Sequence, residues 1–273
     1  MKRIAVLVIA ATGQPVYKHY IETYWTKFIE YTNQHKPNID VYLLFQKGTD
    51  VSEFEYLNEN IIVDENTEFY GFFGPDDGAG AIPGILSKTL YAFEQLQDDY
   101  DVFFRTNLSS MLHTTNFENL VESKNPVIYS GGAVWTDFLR KNLVHNGRVG
   151  KGNRLRSLKE LDSYPGNTFI SGSAYFISAA EAKQLIAEKS RLRYDLADDV
   201  AVGLMMAEHE YLLEFTLRLL PTESIGAILD KLNNSYYCHI RLEHFPPEKA
   251  QQIWQHLYAD KFWDGVLAAS GDS

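Results

Sequence analysis

Cysteine is almost absent from this chain. Cys238 is the one thiol in 273 residues, so neither an intrachain disulfide nor a Cys-x-x-Cys metal site can form, which suits a reducing compartment. Positive charge is scarce as well: 25 Lys and Arg face 36 Asp and Glu, for a net charge of −11. A negative field repels phosphate backbones and anionic lipid, and no long basic run offsets it, so nucleic acid is not expected as a partner. Long hydrophobic runs are missing too. The longest, Ile4–Ala11, has eight residues, against the roughly 20 that span a bilayer. Met1-Lys2-Arg3 ahead of it superficially copies a secretory signal, but the same run is what a buried parallel strand looks like. We read it as the first strand of a cytoplasmic protein without a membrane anchor. The phosphate loop GxxxxGK[ST], the GxSxG elbow, HExxH and the kinase set do not occur. Gly78-Ala79-Gly80-Ala81-Ile82-Pro83-Gly84 approaches a dinucleotide fingerprint, with its third glycine one position late and no strand close before it.

What is present is an ordinary apolar fraction of 45% and an excess of aromatics, 17 Tyr, 16 Phe and 4 Trp, enough for a buried core. Tyr17, Tyr20, Ile21, Tyr24, Trp25, Phe28 and Ile29 recur at helical spacing and predict an amphipathic helix with an aromatic face. Strands are expected at Val41–Phe45, Ile61–Val63, Asp101–Thr106, Pro126–Ser130, Thr168–Ile177, Glu214–Leu220 and Ser235–Ile240. Between them, Phe72–Gly84 reads as loop, and a helix starts near Pro83 with Leu86, Leu90 and Phe93 on one face. Thr136–Pro165 reads as a polar, basic excursion. Ser178-Ala179-Ala180-Glu181 matches a capping box, Val200–Met206 should be helical, and Pro246-Pro247 opens a C-terminal helix. Interleaved strands and helices predict an α/β fold, a mixed, mostly parallel sheet flanked by helices, in one domain.

In such a fold chemistry gathers at the carboxyl ends of the strands. Four places there stand out. Ala10-Ala11-Thr12 ends the first strand with small residues that would let a base or ribose approach, or simply turn the chain. Arg105-Thr106-Asn107-Leu108-Ser109 continues a buried strand into polar side chains, and a buried Arg105 must meet an acid or a phosphate. Ser171-Gly172-Ser173 interrupts a strand, the mark of a bulge or of close approach by a ligand or backbone. Asp198-Asp199 begins a helix, where carboxylates either cap it or leave one free to act as a base.

The ordered set Leu86-Ser87-Lys88-Thr89-Leu90, Arg105–Ser109, Ile170–Ser178 and Asp198-Asp199-Val200 resembles the inverting glycosyltransferases of the GT-A fold. The specific likeness is to the β-1,3-galactosyltransferase/Fringe-like group, nearest the small soluble relatives of large algal viruses. The resemblance implies a Rossmann-like nucleotide-sugar-binding half at 1–130 and an acceptor-binding half at 131–273. It implies a UDP-sugar donor near Ala10, Ala11, Thr12, Arg105, Thr106, Asn107 and Ser109, a glycan or glycoprotein acceptor, and a product that belongs to capsid or surface glycans. Asp199 would be the general base, with Asp198 as the alternative. Trp135, Ser171, Gly172 and Ser173 would meet the sugar.

One departure stands out. Where the family holds Mn²⁺ or Mg²⁺ with an acidic DxD, this chain has Asn107-Leu108-Ser109. Hard cations want anionic oxygen, so a metal, with Asn107, Ser109 and His239 as its ligands, should bind weakly. Metal-independent transfer is expected, with Lys88, Arg105, Arg241 and His239 holding the diphosphate. The literal Asp99-Tyr100-Asp101 lies at the wrong end of its strand and is read as a decoy. The alternative function is a non-catalytic nucleotide-sugar or carbohydrate-binding protein on a degenerate transferase fold. A nucleotidyltransferase would need a Gly-rich basic first loop, which Ala10–Pro15 lacks.

Overall fold

The computed structural model describes residues 2–65, 84–124, 129–131, 134–135, 169–192, 198–206, 210–212, 215–242 and 245–269. The apolar run after Arg3 is strand β1 (Ile4–Ile9), buried at every position. Ala5, Leu7 and Ile9 join one core cluster and Ile4, Val6 and Val8 the other, because successive side chains of a strand point to opposite faces. β1 therefore lies inside the sheet with apolar layers on both sides.

Around it, β2 (Ile39–Gln46), β3 (Ile61–Asp64), β4 (Val102–Asn107), β6 (Tyr129–Gly131), β9 (Ala174–Ser178) and β10 (Glu210–Leu212) complete a seven-stranded sheet of order β10-β6-β9-β4-β1-β2-β3. β3, β2, β1 and β4 run parallel, β9 is antiparallel to both β4 and β6, and β10 is parallel to β6. The fold is thus mixed α/β with a mostly parallel central sheet, as expected. The boundary expected after residue 130 falls inside β6. A smaller sheet, β11 (Thr216–Arg218), β12 (His239–Arg241) and β5 (Ser110–Leu112), stands beside the end of β4, and β7 (Val134–Trp135) pairs with β8 (Phe169–Ile170).

The aromatic helix forms as α1 (Pro15–Tyr20), a π turn (Ile21–Trp25) and α2 (Thr26–His35). π turns are uncommon and cluster at functional sites. Here the wider turn buries the consecutive Tyr24 and Trp25 together. The Trp25 indole donates to the Leu108 carbonyl at 3.0 Å, and the Leu112 amide donates to the Tyr24 hydroxyl at 2.6 Å, so the helix holds the turn after β4 and the far end of β5. This aromatic face is core.

α3 (Ile85–Leu96), α5 (Ala179–Ala187) and α6 (Asp198–Met206) cover one face of the sheet. α1, α2, α7 (Ile225–Asn233) and α8 (Pro247–Ala269) cover the other, and α4 (Thr114–Lys124) adds Phe117 to that second cluster. The expected capping box is present: the Glu181 amide donates to Ser178 Oγ at 3.3 Å. The strand expected over Thr168–Ile177 is broken into β8 and β9 by a turn at Ser171–Ser173. Of Pro126–Ser130 the described part is strand from Tyr129. No helix among the described residues is long and apolar enough to cross a membrane. The near-fingerprint up to Pro83 and the basic excursion lie outside the described residues.

Candidate functional site

The strand order reverses at β1: β2 and β3 lie to one side of it and β4 to the other. Such a switch point opens a crevice outside the carboxyl ends of the two strands. Ile9 is in register with Asn107, so Ala10-Ala11-Thr12 and Asn107-Leu108-Ser109 leave the sheet side by side. β9 enters from the opposite direction with Ala174 beside Thr106, which brings Ser171-Gly172-Ser173 to the same edge. There the Asn107 amide donates to the Gly172 carbonyl at 3.3 Å and Thr106 Oγ1 to the Ser173 carbonyl at 3.4 Å.

Asp198 and Asp199 begin α6 above this edge, where the positive end of the helix dipole favours carboxylates. They face different partners. Asp198 is buried and accepts from Arg105 Nη2 at 2.8 Å. Of the acid or phosphate expected opposite the buried arginine, the acid is present, as Asp198. Arg105 is 1% exposed, lies 5.8 Å from the Tyr175 ring centroid, and has no hydrogen-bond partner for Nε or Nη1 among the described residues. Asp199 is half-buried and accepts from the Gly172 amide at 2.9 Å. A Cβ at Gly172 would stand 3.1 Å from Asp199 Cβ and 3.2 Å from Oδ2. The glycine in Ser-Gly-Ser is thus the space that lets this carboxylate reach the backbone. At Gly131 the constraint is harder still, since a Cβ would fall 1.8 Å from Ile170.

Lys88 does not open to the crevice. It is 1% exposed and donates to the Ala10 carbonyl at 2.8 Å from beneath. Burial, with Arg105 adding to it, lowers its pKa to about 7. Immediately before it on α3, Ser87 donates to Asp64 at the end of β3. Both cations are buried: Lys88 is held by the Ala10 carbonyl, and Arg105 by Asp198 through Nη2.

His239 is fully buried, with Nε2 at 3.1 Å from Thr106 Oγ1 and Nδ1 at 3.1 Å from Thr216 Oγ1. Burial lowers its pKa well below the usual range, helped by Arg241, Arg218 and Arg105. Ser109 Oγ accepts from Arg241 Nη1 at 2.6 Å. The expected ligand set Asn107, Ser109 and His239 therefore does not fit Mn²⁺ or Mg²⁺: it offers no carboxylate, both ring nitrogens are engaged, and a guanidinium sits against the hydroxyl. No group of three or more His, Cys, Asp or Glu among the described residues is arranged for a metal. Asp101, from the literal DxD, accepts from the Arg3 amide at 2.8 Å at the opposite end of the sheet, while Tyr100 donates to Asp40. Trp135 lies in β7, and its side chain is outside the described residues.

One residue that sequence reasoning missed stands at this edge. Arg218, on β11, is exposed and donates to Ser171 Oγ at 3.3 Å. A charged residue inside an expected strand, the signal that marked Arg105, could have found it.

No protein-family model matches the chain, and no curated protein does. Among solved structures it is similar to a glycosyltransferase involved in the glycosylation of the major capsid of PBCV-1, at 8% identity and TM-score 0.42 over 93% of this chain and 98% of that one. It is similar to mouse xyloside xylosyltransferase 1, at 10% and 0.43 over 89% and 98%. It is also similar to a 4-diphosphocytidyl-2C-methyl-D-erythritol synthase from Anaerococcus prevotii, at 12% and 0.41 over 77% and 85%. Likenesses of this strength assign neither family nor activity.

Proposed function

We propose that this protein is an inverting glycosyltransferase. It takes a nucleotide-sugar, a UDP-sugar, at the crevice between the carboxyl ends of β1 and β4 and passes the sugar to a hydroxyl of a glycan or glycoprotein. The observation that carries this reading is the division of the two aspartates: Asp198 is committed to buried Arg105, while half-buried Asp199 stands at the switch point against Gly172. In the reaction the acceptor oxygen bonds to the anomeric carbon in line with the departing diphosphate. The bond to the diphosphate oxygen breaks with its electron pair, and the acceptor proton passes to Asp199. The resemblance of the ordered motifs to inverting GT-A enzymes supports the same assignment. No step requires a divalent metal.

The test is a screen of UDP- and GDP-sugars for transfer and for hydrolysis, in EDTA and with Mn²⁺, on the wild type and Asp199→Asn. Transfer in EDTA is expected, and Asp199→Asn is expected to lose about 10²- to 10⁴-fold in turnover with donor affinity unchanged within about twofold. The misfit of the DxD position to a metal also favours a non-catalytic sugar-nucleotide-binding protein; donor binding without turnover in any condition would select that second reading.

A further inference from the structure

We propose that the buried Arg105–Asp198 ion pair sets the proton affinity of Asp199, each member cancelling the charge that the other would bring to bear on that carboxylate. Arg105 and Asp198 are then positioning residues for the base. The use of the device rests on the transferase reading; its existence rests on the geometry of the three side chains.

Asp198 and Asp199 are consecutive, so the charge carried by the first acts directly on the second. Two adjacent carboxylates that are both uncompensated share a proton, and neither then titrates on its own. Arg105 removes that conflict. Its Nη2 donates to Asp198 Oδ2 at 2.8 Å, the side chains are 1% and 10% exposed, and Asp198 is the only hydrogen-bond partner of the guanidinium among the described residues. The converse matters equally. An arginine keeps its proton, so without Asp198 its whole charge would face Asp199, draw the titration of that carboxylate to lower pH and make it a weaker base. The three charges meet at Tyr175. Arg105 is in register with Tyr175 across β4 and β9 and 5.8 Å from its ring centroid, and Asp199 accepts from the amide of Gly172, in the turn that leads into β9. Burial raises the pKa of the Tyr175 hydroxyl; Arg105 opposes that rise, while Asp198 and Asp199 both add to it. The other charged or titratable groups that bear on the pair are Lys88 on α3, which also feels Asp64 of β3, and His239 on β12. Arg218 on β11 reaches Ser171, beside Gly172. These groups are kept in every variant compared, so the comparison isolates Arg105 and Asp198.

The experiment follows the pH titration of the Asp199 carboxyl carbon by ¹³C NMR on the ligand-free protein, the resonance being assigned by its loss in Asp199→Asn. The wild type is compared with Asp198→Asn and with the double variant Arg105→Met/Asp198→Asn. Asp198→Asn leaves an oxygen for Arg105 but removes the charge, and Asp199 is expected to titrate about one pH unit lower there. The double variant holds no uncompensated buried charge, so it folds even where the single variant does not, and it is expected to return Asp199 close to its wild-type titration. The acid limb of turnover should move in the same order. A pair that only supports the fold lowers stability and turnover without this displacement and return. An Asp199 titration unmoved in Asp198→Asn, or one equally displaced in the double variant, would overturn the proposal. Where only the double variant folds, a titration displaced there by about one pH unit is enough to overturn it. Since the NMR titration uses no substrate, displacement and return without transfer of any sugar would keep the device and sink the transferase reading. Transfer abolished in Asp199→Asn alongside an unmoved titration in Asp198→Asn would do the reverse.

Discussion

Two groups of cations meet at the carboxyl end of β4, and they are built in opposite ways. Arg105 and Lys88 sit inside the α3 and α6 layer, each 1% exposed, tied to the Asp198 carboxylate and the Ala10 carbonyl. Arg218 and Arg241 stand at the rim, oriented by the neutral hydroxyls of Ser171 and Ser109. A buried charge must be matched by the protein itself, so the inner pair fixes the positions of β4, α6 and the β1 turn. The outer pair differs in exposure: Arg218 is exposed and Arg241 half-buried. Asp198 belongs to the first arrangement and Asp199 to the site that the second one edges.

The sharpest way to break this contrast is to empty the inner pair. Asp198→Ala leaves Arg105 charged and buried without its partner, and urea unfolding should show a loss of about 3–5 kcal/mol. Next comes Gly172→Ala, whose new methyl would press on Asp199 at 3.1–3.2 Å. A carboxylate displaced by a few tenths of an ångström should cost about tenfold in turnover, read by steady-state kinetics, with thermal unfolding little changed. The pH dependence of stability gives a smaller effect. The folded pKa of Lys88, about 7, lies below its ordinary value of 10.5, so between these limits the unfolded chain binds the extra proton. Stability therefore rises as pH increases from about 7 and is lost as pH falls back, and Lys88→Met should flatten that rise between pH 7 and 9. His239, also lowered, works in the acid range: its contribution is complete above pH 6.5 and declines below it. Smallest of all, Arg218→Gln at the rim should change unfolding free energy by no more than about 0.5 kcal/mol.

Much of the fold was legible where burial leaves a continuous signal. The runs that became β1, β2 and β4 are apolar because layers cover both faces, and the Ser178 cap is a local hydrogen bond written in four residues. Short elements were not legible in the same way. β5 and β10 have three residues each, too few for a period to show, and α7, capped by Ser224, was missed. The same limit shaped the site. Asn107, Ser109, Gly172, Asp199 and Arg241 were singled out and do meet at one edge. Whether a cation at this edge is buried or exposed depends on the layer above it, which no local pattern encodes, and so neither the burial of Lys88 nor the exposure of Arg218 showed in the sequence. His239 was expected as a ligand because it ends a strand; the threonines on either side of it come from β4 and β11, far apart in sequence.

A single thermal-unfolding series on the wild type, Asp198→Asn and Arg218→Gln tests the division directly. The account predicts that Asp198→Asn lowers the Tm clearly, whereas Arg218→Gln leaves it nearly in place. A Tm lowered by Arg218→Gln and not by Asp198→Asn would contradict it.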